Sequence, residues 1–516
     1  MNGAEATLKT LADCGVEACF ANPGTSEMQM VAAFDREQRV RPVLCLFEGV
    51  ATGAADGYAR MAGKPAATLL HLGAGLSNGG ANLHNARRAY SPVVNIVGDH
   101  AIDHQKYDAP LQSDIESLAR PHSTWVKSAT SADHACHLAA EAVAASSGPP
   151  GGVATLILPA DCAWSETTEN HRDVALPLHR YAIPAPARQI EAAAKAVRAA
   201  KKPVLLLGGL ACSERALTAA GRLAAHGMRV MTDTFVSRLP RGAGRFVPDR
   251  MPYFGEAALA DLAGSDLMLL ASTKAPVAFF AYPAMPSLLV PEGCKVETLC
   301  ALHEDAAAAL EALADALGAV APGVLRAYAL PDKPRGELTA YAIGDAVARW
   351  LPEGAIVSDD AVTAGLPIFM QTRSAKPHDW LMLTGGAIGA GMPMAVGAAV
   401  AQPERKVLSL NGDGAGAYTL QALWTMAREG LDVTTVVFAN HAYRILNIEL
   451  ARTGAGAAGL RAKKLLDLGD PRLDWVALAQ GFGVPGVRCE SAETFDAALS
   501  RALAAPGPHF IEAVMG

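Results

Sequence analysis

The residues with the clearest capacity for chemistry lie in the last third of the chain. Gly412, Asp413 and Gly414 follow one apolar run, and Asn440 follows a second one. A carboxylate and an amide oxygen are ligands that a hard cation such as Mg²⁺ prefers. The glycines let the backbone approach phosphate oxygens closely, because they carry no side chain. The pattern therefore indicates a site where a cation holds a diphosphate group.

The surroundings of this triplet decide its meaning, because Gly-Asp-Gly alone is a common turn sequence. The apolar runs 406–410 and 433–438 are predicted strands, and the segment 420–428 between them is a predicted helix. Parallel strands joined in this way end at one edge of a sheet, where open α/β sheets bind ligands. The 25 residues between Gly414 and Asn440 span one such crossover, which favours a binding site over a plain turn.

The same stretch, GDGAGAYTLQALWTMAREGLDVTTVVFAN, resembles the signature of thiamine-diphosphate enzymes. The resemblance implies thiamine diphosphate and Mg²⁺ as cofactors, with Asp413, Asn440 and the main-chain oxygen of Ala442 as metal ligands. In this segment it implies cofactor binding by Gly412, Asp413, Gly414, Ala415, Asn440, Ala442 and Tyr443.

A glutamate in the first third of the chain complements this site. Phe47 and Glu48 end a predicted strand, and the small-residue helix GVATGAADGYARMAGKPA follows. A buried carboxylate is costly without a partner, so Glu48 by itself could simply face solvent at the end of the strand. In the decarboxylase and acetolactate-synthase group of the family, a glutamate here begins the same helix. The resemblance implies that Glu48 hydrogen-bonds N1′ of the aminopyrimidine ring and activates the cofactor.

A third segment, TGGAIG at residues 384–389, resembles the part of the family that precedes Gly-Met-Pro. The resemblance implies that Ile388 wedges the cofactor into a bent shape and that the carbonyl of Gly386 accepts from its 4′-amino group. A dinucleotide fingerprint is excluded, because no G-x-G-x-x-G follows a strand here.

Four further segments resemble benzoylformate decarboxylases, and the resemblance covers essentially the whole chain. It implies that Thr25 and His71 lie beside the substrate carboxylate and the reacting carbon. A histidine suits proton transfer because its pKa lies near neutrality. The four segments are NPGTSE (22–27), LLHLGAGLSNGGANLHNARRAYSPVV (69–94), KAPVAFFAY (274–282) and YTLQALWT (418–425).

Three polar residues in the first third of the chain could lie either in the active site or at the surface. Gln112 resembles the active-site glutamine of acetolactate synthases, and an exposed glutamine is an equal alternative. His100 and His104 follow a predicted strand end, so either one enters the pocket or lies at the surface.

Two departures from the benzoylformate decarboxylases concern the substrate pocket. Residues 278–282 contain no histidine, where those enzymes have their second catalytic one. The segment after Asn440 is polar, with Arg444, Asn447 and Glu449, while Leu446 is a candidate pocket wall. Without the second histidine, the reaction could end either in protonation or in attack on another carbonyl compound.

The resemblance thus predicts an enzyme, a lyase or transferase, that decarboxylates a 2-oxo acid through a C2-carbanion/enamine. Protonation would give benzoylformate decarboxylase-like activity, and attack on a second carbonyl would give carboligation. One alternative is an acetolactate synthase-like carboligase that uses pyruvate. Another is a non-catalytic cofactor-binding or regulatory homologue, against which Glu48 argues.

Apolar strand candidates alternate with helices three times along the chain, which predicts an α/β protein with three doubly wound parallel-sheet domains. The resemblance implies pyrimidine-binding, middle and diphosphate-binding roles for them. The predicted domains are residues 1–165, 185–320 and 338–516, and a Pro-rich linker with Pro177 and Pro184 follows the first.

Bulk composition narrows the partners and the compartment. The 516 residues carry a net charge of −7 without a basic tract, which predicts no nucleic-acid partner. No apolar run reaches the roughly 18 residues of a membrane helix, and no secretory signal opens the chain. Nine dispersed cysteines favour a reducing cytoplasm. The family implies a homodimer or homotetramer with active sites between chains.

Overall fold

The computed structural model describes residues 1–175, 182–456 and 458–515. Pro177 of the predicted linker lies outside these residues. The chain forms an α/β fold with three sheets in which parallel pairs dominate, so the predicted fold class is confirmed. The limits of the three domains stay a prediction.

The first sheet has the strand order β2-β1-β3-β4-β6-β5, and all of its neighbouring strands are parallel. Its strands are β1 Ala18–Asn22, β2 Arg41–Leu44, β3 Ala66–Leu70, β4 Val93–Asp99, β5 Trp125–Ser128 and β6 Val153–Pro159. The helices of this part are α1 Gly3–Asp13, α2 Met28–Ala33, α3 Glu48–Ala62, α4 Leu72–Arg88, α5 Ile102–Gln105, α6 Ile115–Ala119, α7 Ala132–Ser147, α8 Ala160–Trp164 and α9 His171–Val174.

The second sheet has the order β10-β8-β7-β11-β12 and is also parallel. The strands of this part of the chain are β7 Pro203–Leu207, β8 Arg229–Thr232, β9 Arg238–Arg241, β10 Asp249–Arg250, β11 Leu267–Ala271 and β12 Lys295–Cys300. Its helices are α10 Ala187–Ala199, α11 Glu214–Ala225, α12 Gly255–Leu262 and α13 Ala306–Leu317.

The third sheet has the order β17-β18-β16-β15-β13-β14-β9. Its last strand, β9, comes from the middle part of the chain and pairs antiparallel with β14. The other strands are β13 Ile356–Asp360, β14 His378–Leu381, β15 Val407–Gly412, β16 Val433–Ala439, β17 Gly486–Cys489 and β18 His509–Val514. The helices are α14 Ala340–Trp350, α15 Gly365–Gln371, α16 Gly391–Ala401, α17 Asp413–Gly416, α18 Ala422–Glu429, α19 Arg444–Arg452, α20 Leu460–Leu466, α21 Trp475–Gly481 and α22 Ala492–Ala504.

The central strands are buried along their whole length, as in β3, β4, β6 and β16. Such strands read as continuous apolar runs because helices cover both faces of a parallel sheet. This explains why the strands of the first and third sheets were recognisable from sequence. Among the described residues, no helix is both long and apolar enough to cross a membrane.

Helices α3 and α16 join the first and third sheets through a close backbone contact. A Cβ atom on Gly57 would lie 2.2 Å from the carbonyl oxygen of Met394, and one on Gly397 would lie 1.8 Å from that of Ala54. The glycines therefore set the distance between these helices, since any side chain would force them apart. Glu48 is the first residue of α3, and Gly386 and Ile388 lie in the segment that precedes α16.

Candidate active site

Glu48 is the first residue of helix α3, which corrects the prediction that it ends a strand. Strand β2 stops at Leu44, and Phe47 is the extended residue that precedes the helix. An acidic side chain in the first turn is favoured by the positive end of the helix dipole. The small residues that follow continue the helix to Ala62.

The carboxyl group of Glu48 is buried, with 7% of the residue exposed. Its Oε2 accepts from Asn78 Nδ2 at 3.0 Å. Gly75 leaves room for the other oxygen, because a Cβ there would lie 3.1 Å from Oε1. In the described parts of the chain no Lys, Arg or His forms an ion pair with Glu48. A buried carboxyl group with a neutral neighbour is suited to share a proton with a ligand.

His71 and Glu27 form a second pair at the same edge of the first sheet. His71 follows β3, and Glu27 ends a single turn of 3₁₀ helix, Thr25–Glu27, that follows β1. The His71 Nδ1 atom lies 2.8 Å from Glu27 Oε2. Glu27 is 2% exposed and also accepts from the N–H of Gly24 and the hydroxyl of Ser26. Across the described chain, Nε2 of His71 has no hydrogen-bond partner.

Two glycines make space for this pair. A Cβ on Gly24 would lie 2.2 Å from His71 Nδ1, and one on Gly98 would lie 1.8 Å from Glu27 Oε1. The sequence alone did not indicate Glu27, although it lies in the NPGTSE segment. The signal that could have indicated it is its position three residues after Gly24, where a glutamate side chain can accept from the backbone N–H of the N-cap residue, as in a capping box.

The other predicted residues of the first sheet lie around the same edge. Thr25 is exposed at the start of the 3₁₀ turn. Gln112 is half-buried and its Oε1 is buried without a partner in the described chain; the next residue, Ser113, packs on Gly73, close to His71. His100 follows β4, with its ring centroid 5.3 Å from that of His104, which is exposed.

The third sheet brings the two predicted metal-binding side chains to neighbouring strand ends. Strands β15 and β16 are paired in parallel, with Gly412 opposite Phe438. Asp413 begins the short helix α17, which comes before the predicted helix. Its Oδ2 accepts from the N–H of His441 at 2.6 Å, and Asn440 Oδ1 accepts from that of Ala442 at 3.0 Å. The sheet thus gathers the predicted oxygen ligands at one edge.

Asp413 is 4% exposed, and burial raises the pKa of its carboxyl group. No ion pair neutralises it within the described residues. A buried carboxylate without a cationic partner is expensive, and a bound cation would offset that cost. The described residues contain no group of three or more His, Cys, Asp or Glu side chains that could hold a metal. A site here would therefore consist of one carboxylate with amide and main-chain oxygens, a set that suits Mg²⁺.

Small residues shape the surface beside Asp413. A Cβ on Gly414 would lie 2.4 Å from the ring of Tyr443, so the ring covers the backbone here. A Cβ on Gly412 would meet nothing closer than 3.7 Å, whereas Ala415 is buried. Gly412 is half-buried, and the space beside it would let a diphosphate approach the backbone, which fits the predicted cofactor.

The segment 384–391 follows β14, and strand β13 lies between β14 and the strand β15 that carries the metal motif. Gly386 has a φ of +73°, and a Cβ on it would find nothing within 4 Å, so its backbone borders open space. Ile388 is half-buried against Leu383, Ala390 and Met394. Both features fit residues that contact a cofactor from one side and the core from the other.

Asp360, at the end of β13, fixes this segment and was not indicated by the sequence. Its Oδ2 accepts three backbone N–H bonds, from Gly389 at 2.8 Å, Ala390 at 3.0 Å and Gly391 at 3.2 Å. The side chain is buried, and burial raises its pKa to about 7 although the three bonds act to lower it. Just beyond it, Val362 has a φ of +50°, which is rare for a β-branched residue and concentrates at functional sites.

The two departures noted in the sequence meet in space. Tyr282, in the segment without a histidine, donates its hydroxyl to Glu449 Oε2 at 2.7 Å. Arg452 forms ion pairs with Glu449 and Glu256. Helix α19 is therefore attached to the middle part of the chain by its polar residues, while Leu446 on the same helix is exposed.

Comparison with known proteins identifies the family to which the chain is similar. The N-terminal binding domain of thiamine pyrophosphate (thiamine diphosphate) enzymes matches residues 1–120, and their C-terminal binding domain matches residues 366–513. The chain is 51% identical to IlvX of Mycobacterium tuberculosis, which carries a provisional name as an acetolactate synthase large subunit, over all of this chain and 99% of that protein. It is 29% identical to benzoylformate decarboxylase of Pseudomonas aeruginosa, over 96% of both chains.

Among solved structures, the thiamine diphosphate-dependent 4-hydroxybenzoylformate decarboxylase of Rhodococcus jostii superposes with a TM-score of 0.87. The sequence identity is 25%, and the likeness covers 100% of this chain and 99% of that one. The likeness therefore extends over all three sheets, including the middle one, which neither family domain covers.

Proposed function

This chain belongs to the thiamine pyrophosphate enzymes, of the decarboxylase and acetolactate-synthase type, and from that premise we propose that it decarboxylates a 2-oxo acid in the cytoplasm and protonates the product through His71. The observation that carries this proposal is the His71–Glu27 pair at 2.8 Å. A buried carboxylate beside Nδ1 fixes the ring and favours the tautomer whose proton lies on that nitrogen. Nε2 then remains free to exchange a proton with a substrate.

The cofactor would lie between the site residues at the strand ends of the first sheet and those at the strand ends of the third sheet. Thiamine diphosphate, when bound, supplies an electron sink for the carbon that loses CO₂. Asp413, Asn440 and the main-chain oxygen of Ala442 would hold Mg²⁺ against its diphosphate. Glu48 would share a proton with N1′ of its aminopyrimidine ring. The open backbone at Gly386 supports the proposed contact with the 4′-amino group.

Replacement of His71 tests the proposed protonation step. His71→Asn should lower aldehyde release by about 100-fold or more, because a positioned acid contributes at least that much to proton transfer. CO₂ release in the first turnover should fall less, since it precedes protonation. Rapid-quench measurement of CO₂ and aldehyde in a single turnover separates the two steps.

The matched control for this experiment is His137→Asn, which changes a histidine of helix α7 that is about half exposed and paired with Glu169. It should leave both rates unchanged. Glu27→Gln keeps the shape of the buried side chain and should slow aldehyde release by a smaller factor than His71→Asn. Equal aldehyde release in His71→Asn and the unmodified enzyme would rule out His71 as the proton donor.

A second candidate function is carboligation of the acetolactate-synthase type, with pyruvate as donor. Two observations favour it: the 51% identity to a protein with an acetolactate-synthase name, and the absence of a histidine in residues 278–282. An assay with pyruvate and with benzoylformate, in which CO₂, aldehyde and acetolactate or acetoin are measured separately, distinguishes the two functions. Aldehyde as the main product favours decarboxylation, and acetolactate or acetoin favours carboligation.

We also propose that two chains assemble so that each active site takes Glu48 from one chain and Asp413 from the other. Large apolar side chains are exposed in the segments that follow the strands of both the first and the third sheet. Large apolar patches on a protein surface are usually covered by a partner. The residues that support the proposal are Met28, Leu46, Tyr107 and Leu111 in the first part and Val362, Leu366, Tyr418 and Leu446 in the third.

Mixing two inactive variants tests this arrangement. Glu48→Gln and Asp413→Ala chains, unfolded and refolded together in equal amounts, should regain activity. Random pairing gives one intact site in each mixed dimer, so about a quarter of all sites would be active. Each variant refolded alone is the control. No activity in the mixture, with dimers present by light scattering, would show that both residues serve a site within one chain.

A further inference from the structure

A single carboxylate oxygen organises the segment that the proposed cofactor would touch. Asp360 Oδ2 accepts from three consecutive backbone N–H groups, those of residues 389–391, at 2.8, 3.0 and 3.2 Å. This is the start of helix α16, directly after Ile388 and three residues after Gly386. Asp360 itself ends the neighbouring strand β13 and is 2% exposed. Its position is therefore set by the core of the third sheet.

The carbonyl groups of the same segment are held from other sides. Thr419 Oγ1 donates to the Gly389 oxygen at 2.9 Å, and Asn82 Nδ2 donates to the same oxygen at 3.2 Å. Ser358 Oγ donates to the Gly391 oxygen at 2.7 Å. The amide and carbonyl groups at residues 389 and 391 are thus both restrained, whereas Gly386 borders open space.

Gly391 lets the segment come close to Asp360, because it carries no side chain. A Cβ on Gly391 would lie 2.7 Å from Asp360 Cβ and 2.2 Å from Asn411 Oδ1, so the segment approaches the strand ends directly. In the described chain the second carboxylate oxygen, Oδ1, is buried without a partner. One oxygen of Asp360 thus accepts all three amide hydrogen bonds, while the other accepts none from the described residues. Hydrogen bonds to a carboxylate are stronger than those to a neutral acceptor.

We propose that Asp360 is a positioning residue for the reaction, which holds residues 386–391 so that Ile388 and the Gly386 carbonyl keep the bound cofactor in its reactive shape. The inference rests on the proposed function, and it assigns Asp360 no contact with the cofactor. Binding of the diphosphate depends on the Asp413 region, whereas the shape of the cofactor depends on the segment that Asp360 holds. Loss of Asp360 should therefore affect these two properties unequally.

The test compares Asp360→Asn with Asp359→Asn in the full-length protein. At pH 8, above the pKa of about 7, Asp360 is mostly ionised, and asparagine keeps its volume but removes the charge that strengthens the three bonds. Asp359 is also buried, lies on the same strand end and accepts from Trp380 Nε1, so its replacement is a matched control. Three quantities are measured: hydrogen exchange of the amides of residues 389–391 without cofactor, the affinity for thiamine diphosphate with Mg²⁺, and exchange of the C2 proton of the bound cofactor.

In Asp360→Asn the three amide hydrogens should exchange at least about 10-fold faster. Local opening of the segment then costs less free energy, because the bonds that it breaks are no longer charge-assisted. At saturating cofactor, C2 proton exchange should slow by at least about 10-fold, while the affinity changes by less than about threefold. Asp359→Asn should change none of these quantities. Thr419→Val, which removes the donor on the other side of Gly389, should shift both exchange rates in the same directions by a smaller factor.

Unchanged C2 exchange in Asp360→Asn, or an equal loss in Asp359→Asn, would overturn the inference. If Asp360→Asn does not fold, Thr419→Val decides by the same two exchange rates. Failure of the proposed function gives a different result, since the unmodified protein would then not exchange the C2 proton of thiamine diphosphate at all. Amide exchange without cofactor still reports in that case whether Asp360 holds the segment.

Discussion

Glu48→Gln should abolish turnover while thiamine diphosphate still binds. Glutamine has nearly the same shape and can keep the hydrogen bond with Asn78, which lies 3.0 Å from Glu48 Oε2. It cannot share a proton with the aminopyrimidine ring, so activation of the cofactor fails. We expect the rate to fall by about 100-fold or more, the usual range for a lost acid–base group. Steady-state turnover with a panel of 2-oxo acids and titration of the cofactor by fluorescence quenching measure the two effects.

The control for Glu48→Gln is Glu17→Gln, the same chemical change at an exposed glutamate that pairs with Lys64 in the first domain. It should leave turnover and cofactor affinity unaltered. Full turnover in Glu48→Gln with cofactor bound would contradict the assignment of Glu48. No turnover in the unmodified protein with cofactor bound would instead favour the alternative of a non-catalytic cofactor-binding homologue.

Asp413→Asn should leave the free protein at least as stable as before while it weakens the complex with Mg²⁺ and thiamine diphosphate. Folding raises the pKa of the buried Asp413, which means that the fold disfavours its ionised form. Removal of the charge should therefore leave the melting temperature of the free protein unchanged or higher. Mg²⁺-dependent cofactor affinity should fall by about 100-fold or more, since even residues that only support metal ligands matter by 10–100-fold.

Thermal unfolding with and without Mg²⁺ and thiamine diphosphate measures both effects of Asp413→Asn. At about 100 times the dissociation constant, ligand binding stabilises a fold by about 2.7 kcal/mol. The unmodified protein should show this gain and Asp413→Asn should not. Asp35→Asn, at an exposed position, is the control and should retain the gain. An equal gain in Asp413→Asn would show that the cation binds elsewhere.

The sequence was most informative where chemistry is local. Asp413 and Asn440 could be predicted because each follows a continuous apolar strand, and parallel strands joined by a helix must end at the same edge of a sheet. The structure places both side chains at neighbouring strand ends, as the spacing required. The boundary at Glu48 was harder, because the end of a short strand and the start of a helix depend on packing around Phe47 rather than on local pattern.

Glu27 and Asp360 show what local pattern cannot supply. Glu27 meets His71 across 44 residues of chain, and Asp360 meets Gly389 across 29. Acidic side chains are usually exposed, and neither Glu27 nor Asp360 has a local sequence feature that predicts its burial. Only the approach of distant backbone segments, allowed by Gly24, Gly98 and Gly391, makes these carboxyl groups structural partners.

The sequence by itself thus determined the α/β class and the family, and it indicated the candidate oxygen ligands at the ends of the third-sheet strands. These depend on hydrophobic periodicity and on residue types at fixed spacing, which a single chain segment contains in full. The tertiary structure decided which buried carboxyl groups support the site, how β9 completes the third sheet, and how Tyr282 and Glu449 meet. Such contacts join segments that are far apart in the chain, and their energies depend on burial and distance, which exist only once the chain is folded.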